Sequence, residues 1–479
     1  MNQPVKLIFL CLGLIIVSCQ NKSKQTFVKG ITKPKIIYIM VDDLGYGDLG
    51  CFGQKIIQTP HLDKMASEGI RFTDHYSGTS VCAPSRCVLM TGLHMGHAEV
   101  RGNKQVEPAG QMPLSEGTVT VAELLKEAGY KTALIGKWGL GIEGTTGEPN
   151  KQGFDFYYGY LDQILAHNYF PEFLIRNGEK EYLNNEVYYL PKEQWHGGLG
   201  SYATKKADYS HDLFEEETLK YIEENKDNPF FLYLPYTIPH DNGEAPEDER
   251  LEIPDQGIYA DKMDWGNDQR NYAAMITRLD ETVGKILQKL KDTGIDENTL
   301  VIFTSDNGPE IGYYFSDFFD SNGIFKGGKR DLYEGGIREP FIARWPNKIQ
   351  GGTESNHISA FWDFLPTACE IAGIEMPKNI DGISYLSTLK GEKQKKHEFL
   401  YWEFYERTGS KAVRKGNWKA VQNNVHANLN SPIELYNLNN DPGEENNVAL
   451  QHPEIIDEIK EIMDIASTPS EHFKFGKKN

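Results

Sequence analysis

The 479 residues exceed what one small core requires and suit a large domain with a smaller companion. Hydrophobic residues at 39% and charged residues at 25% describe an ordinary globular chain and exclude a disordered one. A net charge of −19 with no basic block excludes a nucleic-acid binder, and any anionic ligand must be met by locally concentrated cations.

Lys6 precedes the apolar run 7–17, which has the length of a signal core and is too short to span a bilayer. Ile16-Val17-Ser18-Cys19 resembles a bacterial lipobox, so residues 1–19 are expected to be a lipoprotein signal peptide. The mature chain would be exported, periplasmic or anchored to the outer membrane through lipid, with the polar, Lys-rich residues 20–30 as a tether. Of the six cysteines, Cys11 and Cys19 fall in the leader, and Cys51, Cys82, Cys87 and Cys369 lack zinc or disulfide-scaffold spacing.

The continuous apolar run 36–41 predicts a strand buried on both faces. Val121, Leu124, Leu125 and Ala128 predict a helix over 119–128, closed by Gly129. Runs 132–135, 229–236, 300–303 and 341–343 predict further strands, and Ile276, Leu279, Val283, Ile286, Leu287 and Leu290 predict a helix over 271–291. Beyond about residue 390 the texture changes. Residues 399–404 read as a partly exposed strand, 411–421 and 433–438 as further strands separated by Gly and Pro-Gly turns, and 453–465 as a closing helix. The expected fold is α/β: a large mixed, mostly parallel sheet sandwiched by helices over 31–390, with a small C-terminal antiparallel sheet plus helix over 391–479.

The charged residues fall at strand ends. Run 36–41 ends in Asp42-Asp43, 300–303 leads to Asp306-Asn307, 132–135 to Gly136-Lys137, and 229–236 to Pro239-His240. Ligands of an open parallel sheet bind beyond the carboxyl ends of its strands, so one crevice would collect all of these groups. Acids so close repel one another unless a cation sits among them, and an oxygen-rich donor set favours Ca²⁺, or less so Mg²⁺, over zinc.

The segment Ser80-Val81-Cys82-Ala83-Pro84-Ser85-Arg86-Cys87-Val88-Leu89-Met90-Thr91-Gly92 resembles the formylglycine signature of type I sulfatases. The resemblance extends from Lys35 to the C-terminal sheet, with motifs in the family's order, and implies an alkaline-phosphatase-like fold that hydrolyses sulfate esters. It implies that a formylglycine-generating or anaerobic sulfatase-maturing enzyme oxidises Cys82 to formylglycine, whose hydrate attacks sulfur and then expels sulfate. A thiol would strand the product on sulfur. By the same resemblance Asp42, Asp43, Asp306, Asn307 and residue 82 would hold one Ca²⁺, and Arg86 would fix the formylglycine. Lys137 and Lys329 would bind sulfate, and His240 would protonate the leaving alcohol.

The family's Gly-Lys-Trp-His is here Gly136-Lys137-Trp138-Gly139, which leaves a histidine's place vacant, with His167, His94 and His97 as candidates to fill it. The Gly-Lys-Trp-Gly form and the stretch Asn150-Lys151-Gln152-Gly153-Phe154-Asp155 resemble sulfatases of galactose-type polysaccharides, so the expected substrate is a sulfated glycan of galactose or N-acetylgalactosamine type. Arg101, Asn103, Asp162 and His167 are candidate sugar contacts, and Tyr157, Tyr158, Tyr160, Tyr169 and Phe170 would either line a sugar subsite or pack the core. Tyr313, Tyr314 and Phe315 are expected on a loop at the pocket mouth. The competing readings are a phosphonate or phosphate ester hydrolase of the same superfamily and a catalytically silent glycan-binding surface lipoprotein.

Overall fold

The computed structural model describes Met1 and residues 33–104, 111–191 and 198–476; the apolar signal run, the lipobox and the tether lie outside these residues. Residues Lys33–Asn479 form one compact unit. Its spine is a ten-stranded sheet in the order Thr353–Ser355, Ile70–Phe72, Phe341–Arg344, Thr299–Ser305, Lys35–Val41, Phe230–Pro235, Lys131–Lys137, Phe156–Tyr160, Phe173–Arg176, Glu179–Tyr182. The five consecutive strands from Thr299–Ser305 to Phe156–Tyr160 are mutually parallel, and antiparallel pairings appear toward both edges. Strand Lys35–Val41 is buried along its whole length, as its unbroken apolar run requires of a strand covered on both faces.

Helix Asn267–Asp292 buries Ile276, Leu279, Val283, Ile286, Leu287 and Leu290, the stripe that its spacing predicts. The same face carries the buried Asp280, which accepts backbone N–H bonds from His61 (3.1 Å) and Leu62 (2.7 Å) and so caps helix Pro60–Glu68. Helix Val121–Glu127 starts in a capping box of Thr120 and Glu123, two residues inside the predicted start.

The C-terminal sheet is an antiparallel meander of Leu400–Phe404, Ser410–Lys415, Trp418–Asn423 and Ile433–Asn437. Helix Pro453–Ile465 covers one face, packing Ile459, Ile462 and Met463 on Tyr401, Val413 and Leu435. Strand Leu400–Phe404 is buried throughout, not partly exposed, because its other face lies on the main domain. There Trp402 Nε1 donates to Ser77 O (3.1 Å), and Thr79 Oγ1 donates to Glu403 O (3.1 Å). The aromatic set Tyr157, Tyr158, Tyr160, Tyr169 and Phe170 is core. Tyr313 precedes a short helix, Tyr314–Phe319, rather than a mouth loop, and Phe315 is buried against Tyr272 with ring centroids 4.8 Å apart.

At the carboxyl end of Lys131–Lys137, Gly136 adopts φ 134°, and a Cβ there would lie 2.1 Å from Pro235 O of the neighbouring strand. Only glycine allows this approach. Gly136→Ala is expected to lower stability by about 2 kcal/mol or more, read as a lower urea midpoint with unchanged slope.

Candidate active site

Registry sets the floor of the crevice. Met40 pairs with Thr304 and Val41 with Ser305, while Met40 also pairs with Pro235, so neighbouring strands end level. The residues that follow, Asp42, Asp43, Asp306 and Asn307, emerge side by side, and Asp306 N donates to Val41 O (2.9 Å). Asp43 takes φ 64°, the left-handed turn that folds its carboxylate back over the strand ends.

Helix Cys82–Thr91 brings the signature to this floor, with Cys82 in its first turn. Each motif residue has a mechanical task. Ser85 Oγ accepts from Gly78 N (3.0 Å) and donates to Asp306 O (2.7 Å), tying the helix to the acid-bearing strand. Arg86, one helical turn beyond Cys82, donates to Asp306 Oδ2 (2.8 Å) and Lys137 O (2.5 Å), with Asp42 Oδ2 at 3.4 Å. Gly92 ends the helix in the left-handed conformation at φ 71°.

The remaining cations close the ring. Lys137 Nζ lies 2.7 Å from Asp42 Oδ2, and Lys329 Nζ lies 2.6 Å from Asp43 Oδ2. Cys82 Sγ is 3.4 Å from Asp42 Oδ1, and Asn307 Nδ2 donates to Asp43 Oδ1 (2.7 Å). His240 donates from Nδ1 to Asp241 O (2.5 Å), so its Nε2 is the acceptor for Lys329 Nζ (2.9 Å). Tyr169 OH bonds His240 O from below. The structure therefore unites Asp42, Asp43, Cys82, Arg86, Lys137, His240, Asp306, Asn307 and Lys329, all of them buried.

Electrostatics follows from that burial. For Asp42 the desolvation is outweighed by cations, Lys137 foremost, which hold its carboxyl well below the usual range. Burial pushes Asp306 up to about 7, with Asp42 adding to the shift, and pushes Asp43 up to about 6 against the pull of Lys329. Burial, then the Asp42 carboxylate, drives the Cys82 thiol far up and disfavours a thiolate there. Buried carboxylates this close together can share a cation. Ligand atoms of Asp42, Asp43, Cys82 and His240 all lie within 4.8 Å of one another. Beside them the carboxamide of Asn307, which meets Asp43 through Nδ2, keeps a buried Oδ1 with no hydrogen-bond partner among the described residues. These residues fit a hard divalent ion.

Other candidates lie elsewhere or have other work. His167 does reach the rim: its ring stacks on His240 at 4.3 Å and 16°, and its Nδ1 meets Glu244 Oε2 at 2.9 Å. Asn103 Oδ1 accepts from Ala83 N (3.2 Å), next to Cys82. Arg101 does not reach the crevice, because its guanidinium is held by Ala98 O (2.8 Å), Thr468 O (3.0 Å) and Glu403 (3.4 Å). Asp162 is likewise committed, accepting from Ile164 N (2.8 Å), Leu165 N (2.9 Å) and Leu199 N (3.3 Å). His94 and His97 stack on each other at 4.5 Å and pair with Asp381, not with the crevice. Sequence reasoning missed Glu244 and Gln163. Gln163 follows Phe156–Tyr160, a strand whose aromatics disguised it, and the strand-end rule would have flagged it; no sequence signal marks Glu244. A cleft of about 1500 Å³ along the Thr353–Ser355 edge shares no residue with the crevice.

A helix that starts with a buried cysteine, three strand-end acids and converging cations on an alkaline-phosphatase-like sheet match a class of ester hydrolase. The family model described as Sulfatase matches residues 34–374, and that described as N-sulphoglucosamine sulphohydrolase, C-terminal, matches residues 322–467. The chain belongs to the sulfatase family, enzymes that hydrolyse sulfuric esters. It is 30% identical to an N-acetylgalactosamine-6-O-sulfatase of Bacteroides thetaiotaomicron, over 95% of this chain and 97% of that one. It is 33% identical to arylsulfatase A of Homo sapiens, over 90% of this chain and 87% of that one. Among solved structures, Ps i-CgsB superposes with a TM-score of 0.74 at 28% identity, covering 91% of this chain and 93% of that one.

Arg86→Met leaves Asp306 and Asp42 buried without their shared partner, and an expected loss of about 3–5 kcal/mol follows. Adding Asp306→Asn to that variant should restore part of it, the non-additivity being read from unfolding midpoints of the single and double variants.

Proposed function

We propose that this sulfatase removes sulfate from a sulfated glycan of galactose or N-acetylgalactosamine type, using formylglycine made from Cys82 and one Ca²⁺. The observation that carries this is Cys82 itself, a buried thiol at the first turn of a helix, ringed by Asp42, Asp306, Arg86, Lys137 and Lys329. Formylglycine would supply a hydrated aldehyde that can attack sulfur and later release it. Asp42, Asp43, Asp306, Asn307 and residue 82 would hold the Ca²⁺, which would draw charge from the sulfate oxygens.

The chain's own groups do the rest. Arg86, one turn beyond residue 82, holds Asp306, whose carboxylate would take a proton from the hydrate. Three carboxylates face Arg86, Lys137 and Lys329, so a bound divalent ion leaves an excess of positive charge for an anionic ester. Lys137 and Lys329 would bind the sulfate oxygens, and the Lys329–His240 hydrogen bond would hold the proton destined for the leaving alcohol. His167 is our assignment for the role left open at Gly139: Glu244 orients it through Nδ1, and its ring packs on His240.

The substrate reading draws support from relatives. One is an N-acetylgalactosamine-6-O-sulfatase, and Ps i-CgsB has been crystallised with k-i-k-neocarrahexaose. Export as a lipid-anchored protein, with conversion of Cys82 by a maturation enzyme, completes the proposal and suits an enzyme that meets polysaccharide outside the cytoplasm.

Coexpression with a maturation enzyme should turn the Cys82 peptide into its aldehyde form by mass spectrometry; a wholly unmodified thiol would refute the mechanism. Cys82→Ala should abolish sulfate release, measured by ion chromatography. Chelation should suppress it reversibly, and Ca²⁺ at a hundredfold over its Kd should stabilise the fold by about 2.7 kcal/mol in thermal unfolding. His167→Ala should lower kcat by about 10²-fold or more, while Glu244→Gln, which keeps a hydrogen-bond acceptor, should cost less.

A further inference from the structure

Strand Phe156–Tyr160 lies parallel beside Lys131–Lys137, with Gly136 opposite Gly159 and Lys137 opposite Tyr160. Its carboxyl end therefore delivers Leu161 to Ile164 to the rim of the crevice. Within this turn Gln163 is 5% exposed. Its Nε2 donates to Asn103 Oδ1 (3.0 Å), and the same Asn103 oxygen accepts the N–H of Ala83 (3.2 Å). The Ala83 bond sets the direction of the Asn103 amide. Reversing Gln163 would then press oxygen against oxygen, so both carboxamides are oriented.

Gln163 Oε1 is left without a hydrogen-bond partner among the described residues. Its place is informative. A Cβ on Gly139 would lie 2.8 Å from Oε1 and 3.9 Å from Ala83 Cβ, so the oxygen stands where the Lys137 strand end meets the turn that carries Cys82. Gly139 takes φ 79°, and the carboxamide of Gln163 occupies the space that a side chain there would need. A buried acceptor without a donor costs about 1–3 kcal/mol, a debt that a ligand's O–H can cancel. A sulfate group offers this oxygen only further acceptors. The alcohol part of the ester, by contrast, carries hydroxyl donors.

We propose that Gln163 Oε1 accepts a hydrogen bond from a hydroxyl of the bound sugar, making Gln163, held by Asn103, a specificity-determining residue. This inference rests on the glycan-sulfatase reading above. A site built to bond a hydroxyl rejects analogues that lack it, so the contact would select among sugars more than it would speed the chemistry on sulfur.

The test uses the full matured chain, its Gln163→Met and Gln163→Ala variants, a sulfated galactose or N-acetylgalactosamine, and that sugar's monodeoxy analogues. Both variants should lower kcat/KM on the intact sugar by about tenfold or more. For one deoxy sugar, the variants and the wild type should react alike, because the bond is already gone. Losses of equal size on every sugar, or no loss on any, would overturn the assignment while leaving the sulfatase reading in place. If the wild type releases sulfate from none of the sugars, the glycan reading falls and this assignment with it.

Discussion

The Arg86 guanidinium, held between Asp306 and Asp42 beneath Cys82, is the contact on which the rest of the crevice depends. Charges removed from water are costly unless each finds a partner at short range. Here the partners arrive from different parts of the chain: Asp42 and Asp306 from neighbouring parallel strands, Arg86 from the signature helix, Lys137 from a third strand and Lys329 from a later loop. Displacing Arg86 leaves Asp306 buried without its cation. The level strand ends and the Ser85 bond to Asp306 O are what hold this arrangement against mutual repulsion.

The crevice has two kinds of wall. Its floor is made of strand ends and a helix start, where backbone pairing fixes position. Its rim is made of turns, and there side chains position one another: Glu244 holds His167, His167 stacks on His240, and His240 meets Lys329. It is on this rim that the chain departs from the family pattern, at Gly139.

What could be read from the sequence follows the same division. The central strands and their terminal acids were legible because burial on both faces writes an unbroken apolar run, and such a run ends where the ligands are. The signature was legible because its letters are local: a helix start, a tie, a charge and a helix stop. Arg101 and Asp162 turn out to be tied to backbone, Arg101 to Ala98 O beside it and Thr468 O far along the chain, and Asp162 to the N–H groups of Ile164 and Leu165 just after it. Nothing about a polar residue near a motif distinguishes such ties from a sugar contact. The strand before Gln163 was hidden because its aromatics suit a sugar platform as well as a core.

The C-terminal sheet grips the nucleophile segment from outside, Trp402 on Ser77 and Thr79 on Glu403, and Cys82 beneath is only 1% exposed. That grip imposes an order in time. A side chain so enclosed is out of a second protein's reach, so any chemistry another enzyme performs at Cys82 must come before the crevice closes around it. The closing of the fold around residue 82 thus acts as a latch, after which that side chain is whatever it has by then become.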